Sequence, residues 1–523
     1  MRSYIRLIAF LTLFTLLSFI SCAKKRNLNL PPTPLTAAGL IPHPVEIKST
    51  NASFPLDKFT AIYTAGTKEM EDIGNFLAEK ITFKTGLRLK VNPESAKNFE
   101  SRILIQLDND FTIENEEAYK LKILQDSIIL TSKTPSGAFR GIQTLRQLIP
   151  QQSNDTIADY SIWVLPTGEI TDYPQFEYRS AMLDVVRHFF SVEDVKKYID
   201  VLSYYKFNTL HLHLTDDQGW RIEIKSWPKL TEIGGKTQVG GGTGGFYTQE
   251  QYRDIVNHAL ERHITIVPEI DMPGHTNAAS LSYPFLNGNG KELKPYTGTK
   301  VGFSTFDCGK DTVYAFIDDV IGEMASLTPG PYIHIGGDES LVTKKKDYNY
   351  FISRVEKIVQ KHGKIMIGWD EIANATIGEN TIVHFWRNKN NAQTAAEKGM
   401  KVILSPAQKA YLDMKYDENS KYGLTWAGYV PVNTAYRWSP ENYAEIPIDN
   451  ILGIEAPLWP ETITNIGELE YLAFPRVIGI AELAWTKQEN RNWKDYRVRL
   501  ANQTAYLKSM NINYYPTKLI DWK

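Results

Sequence analysis

Cysteine is nearly absent from the chain. Only Cys22 and Cys308 occur among 523 residues, which excludes a disulfide framework. An excess of either charge is missing too: 58 basic residues face 60 acidic ones, for a net charge of −2. Such a balance offers no electrostatic footprint for nucleic acid, which is excluded as a partner. Metal-ligand spacing is also lacking. His211 and His213 sit two apart, on one face of a strand, but no further His or Cys follows at matching distance, so no metal is expected. Gly240, Gly242 and Gly245 spell G-x-G-x-x-G, yet no strand immediately precedes them. A dinucleotide site fails in that context, the stretch reads as a flexible loop, and no cofactor is expected.

Apolar and aromatic residues are abundant. Hydrophobic residues make up 42% of the chain, ample for a large core, and aromatics 12%, with 11 Trp and 28 Tyr. Ring faces fill cores and also suit the C–H surfaces of sugars. The length is too great for one ordinary domain. It implies two or three, or a large barrel with an accessory domain.

The N-terminus reads as a leader. Arg2 and Arg6 precede an apolar run from Leu7 to Ile20, then Ser21 and Cys22. The run is short for a membrane span and fits a secretory signal peptide. A small residue before Cys at its end resembles a bacterial lipoprotein processing site, with Phe19 where an aliphatic residue is usual. Lipidation of Cys22 is expected, giving export across an inner membrane and a lipid anchor facing the periplasm or the cell surface. Cys308 is expected to be a buried small hydrophobe. Residues 1–22 form the leader, and 23–40, with Pro31, Pro32 and Pro34, read as an extended linker.

Residues 41–172 alternate strand and helix patterns. Strands are expected at Thr60–Thr64, Ile103–Leu107 and Ser127–Leu130, and helices at Met70–Lys84 and Gly137–Leu148. The result is a small α+β domain, with no chemistry visible in it. Residues 173–523 carry eight strand candidates: Ser180–Val185, Thr209–Leu214, Ile264–Ile270, Tyr332–Ile335, Ile365–Trp369, Ile382–Trp386, Val402–Leu404 and Leu452–Pro457. Helical stretches separate most of them. The fold class is α/β, a (β/α)₈ TIM barrel after a smaller α+β domain, with a doubly wound sheet as the alternative.

The chain is organised around Tyr332-Ile-His-Ile-Gly-Gly-Asp-Glu339. Neighbours on a regular strand point to opposite faces. Asp338 and Glu339 serve one site only if the backbone leaves the strand, which Gly336 and Gly337 permit. Two acids in unlike environments can hold one proton and one charge. A solvated turn is the plain alternative. Placement decides between them, because acids and aromatics follow the other strands as well, where barrels keep their sites. Arg187 follows the first strand and Asp216 the second. The third strand carries Glu269 and is followed by Asp271 and His275, the fifth ends in Trp369 and the sixth in Trp386. Tyr411, Asp413 and Trp426 follow the seventh, and Trp459 and Glu461 the eighth. A single Trp at a strand end is usually core. Four from different units suggest a shared lining.

Four motifs together resemble the β-N-acetylhexosaminidases of glycoside hydrolase family 20. They are Arg179-Ser-Ala-Met-Leu-Asp-Val-Val-Arg187, His211-Leu-His-Leu-Thr-Asp-Asp-Gln-Gly-Trp220, Pro268-Glu-Ile-Asp-Met-Pro-Gly-His275 and His334-Ile-Gly-Gly-Asp-Glu339. The resemblance runs from about Ile41 to the C-terminus. It implies exo-acting, retaining hydrolysis of terminal GlcNAc or GalNAc through the substrate's own 2-acetamido group and an oxazolinium intermediate. It implies Glu339 as general acid and base, and Asp338 as holder of the acetamide N–H. Arg187, Asp413 and Glu461 would take the outer hydroxyls, and Tyr411 the acetamide oxygen. Trp369, Trp386 and Trp459 would cage the methyl group, and Trp426 would carry the next sugar. Asp216 and His275 would sit behind the acid, with Asp271 close by. Partners are N-acetylhexosamine-containing oligosaccharides or glycans. Two alternatives remain: a member of the same family that releases a disaccharide, and a non-catalytic sugar-binding lipoprotein.

Overall fold

The computed structural model describes residues 28, 30–95, 99–150, 155–157, 160–291 and 293–522. The leader and Cys22 lie outside the described residues. Among those described, no helix is long and apolar enough to cross a membrane. The chain divides into two compact units, the first ending at Tyr173 and the second running from Pro174, with Ile41–His43 belonging to the second.

The first unit holds an eight-stranded mixed sheet. Its strands are β1 (Glu46–Leu56), β2 (Thr60–Ala65), β3 (Lys90–Val91), β4 (Ser101–Leu107), β5 (Tyr119–Ile123), β6 (Ser127–Ser132), β7 (Asp155–Ile157) and β8 (Tyr160–Asp172), in the order β1-β8-β5-β6-β4-β2-β3, with β7 on β8. β5 alternates: Tyr119, Leu121 and Ile123 are buried while Lys120 and Lys122 are exposed, the pattern of a sheet packed on one side. Helices α1 (Lys68–Thr85) and α2 (Pro135–Leu148) pack on it. Thr134 caps α2 by accepting from Gly137 N, with Pro135 in the first turn.

β1, β5 and β8 are additions to the sequence reading. β1 is polar and exposed over Lys48–Asn51, contains Pro55, and is buried only at Ser53, Phe54 and Leu56, so its pairing with β8 holds its first half rather than any apolar pattern. The linker reading needs correction at its end. Leu35 starts a short 3₁₀ turn, is fully buried, and its N–H bonds Ser49 Oγ at 3.0 Å; Leu40 is buried as well. Apolar burial there outweighs the extended bias of the prolines.

The second unit is a closed barrel of eight parallel strands: β9 (Tyr178–Asp184), β10 (Thr209–His213), β13 (Thr265–Glu269), β14 (Tyr332–His334), β15 (Ile365–Trp369), β16 (Ile382–Phe385), β17 (Val402–Leu404) and β18 (Ile451–Leu458), which returns to β9. β11 (Thr215–Asp216) and β12 (Gly219–Trp220) form a hairpin after β10. Helices include α3 (Val192–Tyr204), α4 (Gln249–Leu260), α5 (Asp311–Leu327), α6 (Lys345–Lys361), α7 (Lys389–Glu397) and α8 (Arg476–Trp485). Ser191 with Asp194, and Thr248 with Gln251, form capping boxes that fix where α3 and α4 begin.

β9, β10 and β18 are buried along their whole length, as strands covered on both faces must be. Tyr178, Val267, Ile367, Ile382, Ile403 and Leu452 form a separate apolar cluster within the sheet. Two residues further along, on the same face of each strand, Val267 gives way to Glu269, Ile367 to Trp369, Ile382 to His384 and Ile403 to Ser405. The interior thus changes from apolar to polar toward the C-terminal ends of the strands. Cys308 is buried and free.

Candidate active site

After β14 the chain turns sharply. Gly336 and Gly337 have φ of 64° and 98°. A Cβ on Gly336 would meet Asp271 Oδ1 at 1.8 Å. Only glycine fits that conformation and that approach. Tyr348 from α6 donates to the Gly337 carbonyl at 2.6 Å, and Gly337 N–H donates to Asp271 Oδ1 at 3.2 Å. Glu339 itself takes a φ of 45° and His275 one of 55°, non-glycine residues in the left-handed region. The turn aims both acids at one place: His275 Nε2 lies 3.5 Å from Asp338 Oδ2 and 3.7 Å from Glu339 Oε2.

Behind His275 stands Asp216, 3.1 Å from its Nδ1. The other oxygen of Asp216 pairs with Arg187 at 2.7 Å and with His213 Nε2 at 2.8 Å. Arg187 also pairs with Asp184 at 2.9 Å and lies 4.9 Å over the ring of Trp459. Burial works against the charge of Asp216, but Arg187 and His275 hold its carboxyl well below the usual range. Asp216 and Asp338 likewise outweigh burial at His275 and keep it cationic. Burial pushes Asp338 up to about 6; the His275 cation opposes this and the neighbouring Glu339 adds to it. Asp271 is raised well above the ordinary carboxyl range by burial and by Asp338.

The aromatic residues form one continuous wall. Ring centroids of Trp369 and Trp459 lie 6.0 Å apart, Trp459 and Tyr411 6.4 Å, Tyr411 and Trp386 6.4 Å, and Trp386 and Trp426 6.0 Å. Trp369, Trp386 and Tyr411 are buried, whereas Trp426 is 54% exposed and marks the open end. Asp413 is buried, and burial with Glu461 nearby raises its carboxyl well above the usual range. Burial also raises Glu461, against the pull of Arg187. Among the described residues, Asp338 Oδ1, Asp413 Oδ1 and Glu461 Oε2 have no hydrogen-bond partner. Buried acceptors left open in a cleft with Arg187 suit a ligand rich in hydroxyl and N–H groups.

The residues singled out in the sequence therefore come together. Glu371 and Arg387 join them. Glu371 accepts the indole N–H of Trp386 at 3.1 Å, and burial with Asp370 beside it pushes its carboxyl up to about 8. Arg387 lies 3.7 Å from Glu339 and 3.6 Å from Glu371, with its guanidinium 4.2 Å over the Trp386 ring. Its place directly after Trp386 was the available signal. The glycine string at 240–245 is a loop bordering the site, since Val239 N–H bonds the Arg187 carbonyl at 2.9 Å. His211, His334 and His384 bring ligand atoms within 4.8 Å of one another. Each of their ring nitrogens already faces Glu455, Glu269, Ser405 or another ring, a closed set of partners rather than an open donor set.

Comparison with known proteins agrees with this geometry. The model for the catalytic domain of glycosyl hydrolase family 20 matches residues 176–488, and that for domain 2 of the same family matches residues 37–173. A beta-N-acetylhexosaminidase of Cellulomonas fimi is 35% identical over 488 residues, covering 92% of this chain and 97% of that protein. The solved GH20 beta-N-acetylhexosaminidase of Streptomyces coelicolor A3(2) superimposes with a TM-score of 0.88 at 43% identity, covering 94% of this chain and 100% of that one. A mutant Streptomyces plicatus beta-hexosaminidase in complex with its product GlcNAc gives a TM-score of 0.88 at 43% identity, covering 96% and 100%. With matching models over both units and relatives aligned over nearly their whole length, the chain belongs to glycosyl hydrolase family 20.

Proposed function

We propose that this hydrolase is an exo-acting, retaining β-N-acetylhexosaminidase that releases terminal non-reducing GlcNAc or GalNAc with the help of the substrate's own acetamide. The observation that carries the reading is the open Asp338 Oδ1 beside Glu339, with a wall of aromatic rings of which Trp369, Trp386 and Tyr411 are buried. Asp338 accepts the acetamide N–H and faces the positive charge that develops on that group. The acetamide oxygen, aimed by the Tyr411 phenol, bonds to the anomeric carbon. As it does, the bond to the leaving group breaks and Glu339 gives its proton to the departing oxygen. Water then attacks the same carbon, Glu339 takes its proton, and the oxazolinium ring opens with retention. Trp369, Trp386 and Trp459 hold the methyl group and exclude water, which keeps the internal nucleophile at high effective concentration.

Arg187, Asp413 and Glu461 take the hydroxyls at the closed end, which leaves no room for a further sugar there. This favours release of one sugar over a disaccharide. Trp426 offers its face to the next residue at the open end. Steady-state hydrolysis of paired aryl β-GlcNAc and β-GalNAc substrates, with and without a GlcNAc-thiazoline inhibitor, tests the reading. Turnover with inhibition far tighter than by GlcNAc is expected, because the inhibitor mimics the bicyclic intermediate. Turnover without such inhibition overturns the role of the acetamide. No turnover on either substrate favours a sugar-binding protein.

We propose further that the chain is exported and tethered by a lipid on Cys22, facing the periplasm or the cell surface. Support comes from Arg2 and Arg6 before the apolar Leu7–Ile20 run and Ser21-Cys22. Labelling with a fatty-acid analogue tests it. Wild-type protein takes up label and sediments with membranes, and Cys22→Ser does neither. Equal labelling of both overturns the anchor.

A further inference from the structure

Glu269 takes no part in the reaction above, yet it is fully buried between both halves of the site. The strand register sets it beside His213 on one neighbour and His334 on the other. Its Oε2 lies 2.6 Å from His213 Nδ1 and 2.9 Å from His211 Nε2. Its Oε1 accepts the indole N–H of Trp369 at 3.0 Å and lies 3.1 Å from His334 Nδ1. One oxygen leads through His213 to Asp216 and His275, and so to the two acids. The other holds the indole that closes the acetamide pocket. Barrel interiors are ordinarily filled with branched apolar side chains, as the layer beneath this one is. A buried carboxylate is costly unless its partners are matched.

We propose that Glu269 is a positioning residue for the reaction, tying the acid side of the site to the acetamide side, with His213 as the link on the acid side. The inference rests on the glycosidase reading and extends it. Fixing His213 from behind fixes one oxygen of Asp216 and leaves the other for His275. Fixing the Trp369 N–H sets the plane of that indole. The groups facing Glu269 are His211 and His213 from β10, His334 from β14 and Trp369 from β15, with Asp271 and Asp338 within electrostatic reach. His213 and His211 are held cationic by Glu269 together with Asp216 and Glu455, whereas burial lowers His334.

The test compares Glu269→Gln, His213→Gln and Glu455→Gln in the full chain, each checked for folding by circular dichroism. Glu455 is equally buried and pairs with His211 at 2.9 Å, but it touches neither His213 nor Trp369 in any hydrogen bond of the network, so it controls for lost interior charge. Glu269→Gln is expected to lower kcat/KM on an aryl β-GlcNAc by about tenfold to a hundredfold, the range expected for misplaced reacting groups. It should also move the acid limb of the pH profile by about half a unit or more and weaken thiazoline inhibition. His213→Gln keeps an N–H for Asp216 and loses the cation. It should move the limb and leave thiazoline inhibition intact, and it carries the test if Glu269→Gln does not fold. Glu455→Gln should move neither. Folded Glu269→Gln or His213→Gln with wild-type limbs overturns the proposal, and so does an equal shift in Glu455→Gln. Wild-type enzyme without hydrolysis sinks the glycosidase reading itself, a separate result.

Discussion

In the barrel interior, Glu269 and Glu455 have cations or donors against their oxygens, while among the residues that follow the strands, Asp338, Asp413 and Glu461 each keep an oxygen without a partner. The protons follow this division. Burial opposes the charge of both, but His213 and His211 hold Glu269 well below the carboxyl range, and His211 holds Glu455 at about 2. At the rim burial wins, and Asp338 and Asp413 move up. The same carboxyl chemistry is locked as an anion at one level and left close to a change of state at the next. A group that must meet changing charge during a reaction belongs at the second level, and the stability it costs is a cost of function.

Removing the acid breaks the rim most severely. Glu339→Gln is expected to slow hydrolysis of alkyl or sugar β-GlcNAc glycosides by at least about a thousandfold, while activated aryl substrates, which need less proton donation, lose much less. Equal losses across a leaving-group series would remove Glu339 as the acid. Asp338→Asn comes next. Losing one preorganised charge opposite the developing oxazolinium should lower kcat by about a hundredfold to a thousandfold. Near-wild-type turnover would contradict the assignment. The pH profile then sharpens the comparison. Asp338 acts as a carboxylate, and in the free enzyme it gains a proton as pH falls through about 6. Wild-type kcat/KM should therefore drop on the acid side near pH 6, and Asp338→Asn should lack that limb. A limb that persists in the variant would belong to another group.

Much of this was legible in the sequence. The eight barrel strands lie where apolar, β-branched runs alternate with amphipathic helices, and the site residues follow those strands. Gly336 and Gly337 announced a turn before two adjacent acids, and the structure needs both for that turn. β1 and β8 were hidden because pairing between distant segments, rather than local pattern, creates them. Glu269 and His213 were visible as residues, but their partnership depends on strand register across the barrel, which no local window contains. Glu371 stood in plain sight after Trp369. Its raised carboxyl depends on burial and on Asp370 beside it, and burial is not written locally.

The smallest effect concerns Asp413, where the rim carries a cost that a neutral residue would remove. Its folded carboxyl lies well above the ordinary value of about 3.9 for an unfolded aspartate. The unfolded chain therefore releases this proton at a lower pH than the folded chain does. Folding is unaffected by the group below that ordinary value and is progressively disfavoured as pH rises toward the folded value. Asp413→Asn has nearly the same shape and no proton to lose. Its melting temperature should match wild type near pH 4 and exceed it by about 1–3 °C at pH 8. Its kcat/KM should fall, because a neutral amide accepts a sugar hydroxyl less strongly than a carboxylate does. Stability gained with activity lost, and gained only at the higher pH, would place the open carboxylate at the rim for substrate rather than for the fold. A variant less stable than wild type at pH 8 would mean that Asp413 is already paired in the free protein, and the contrast between interior and rim would not extend to this residue.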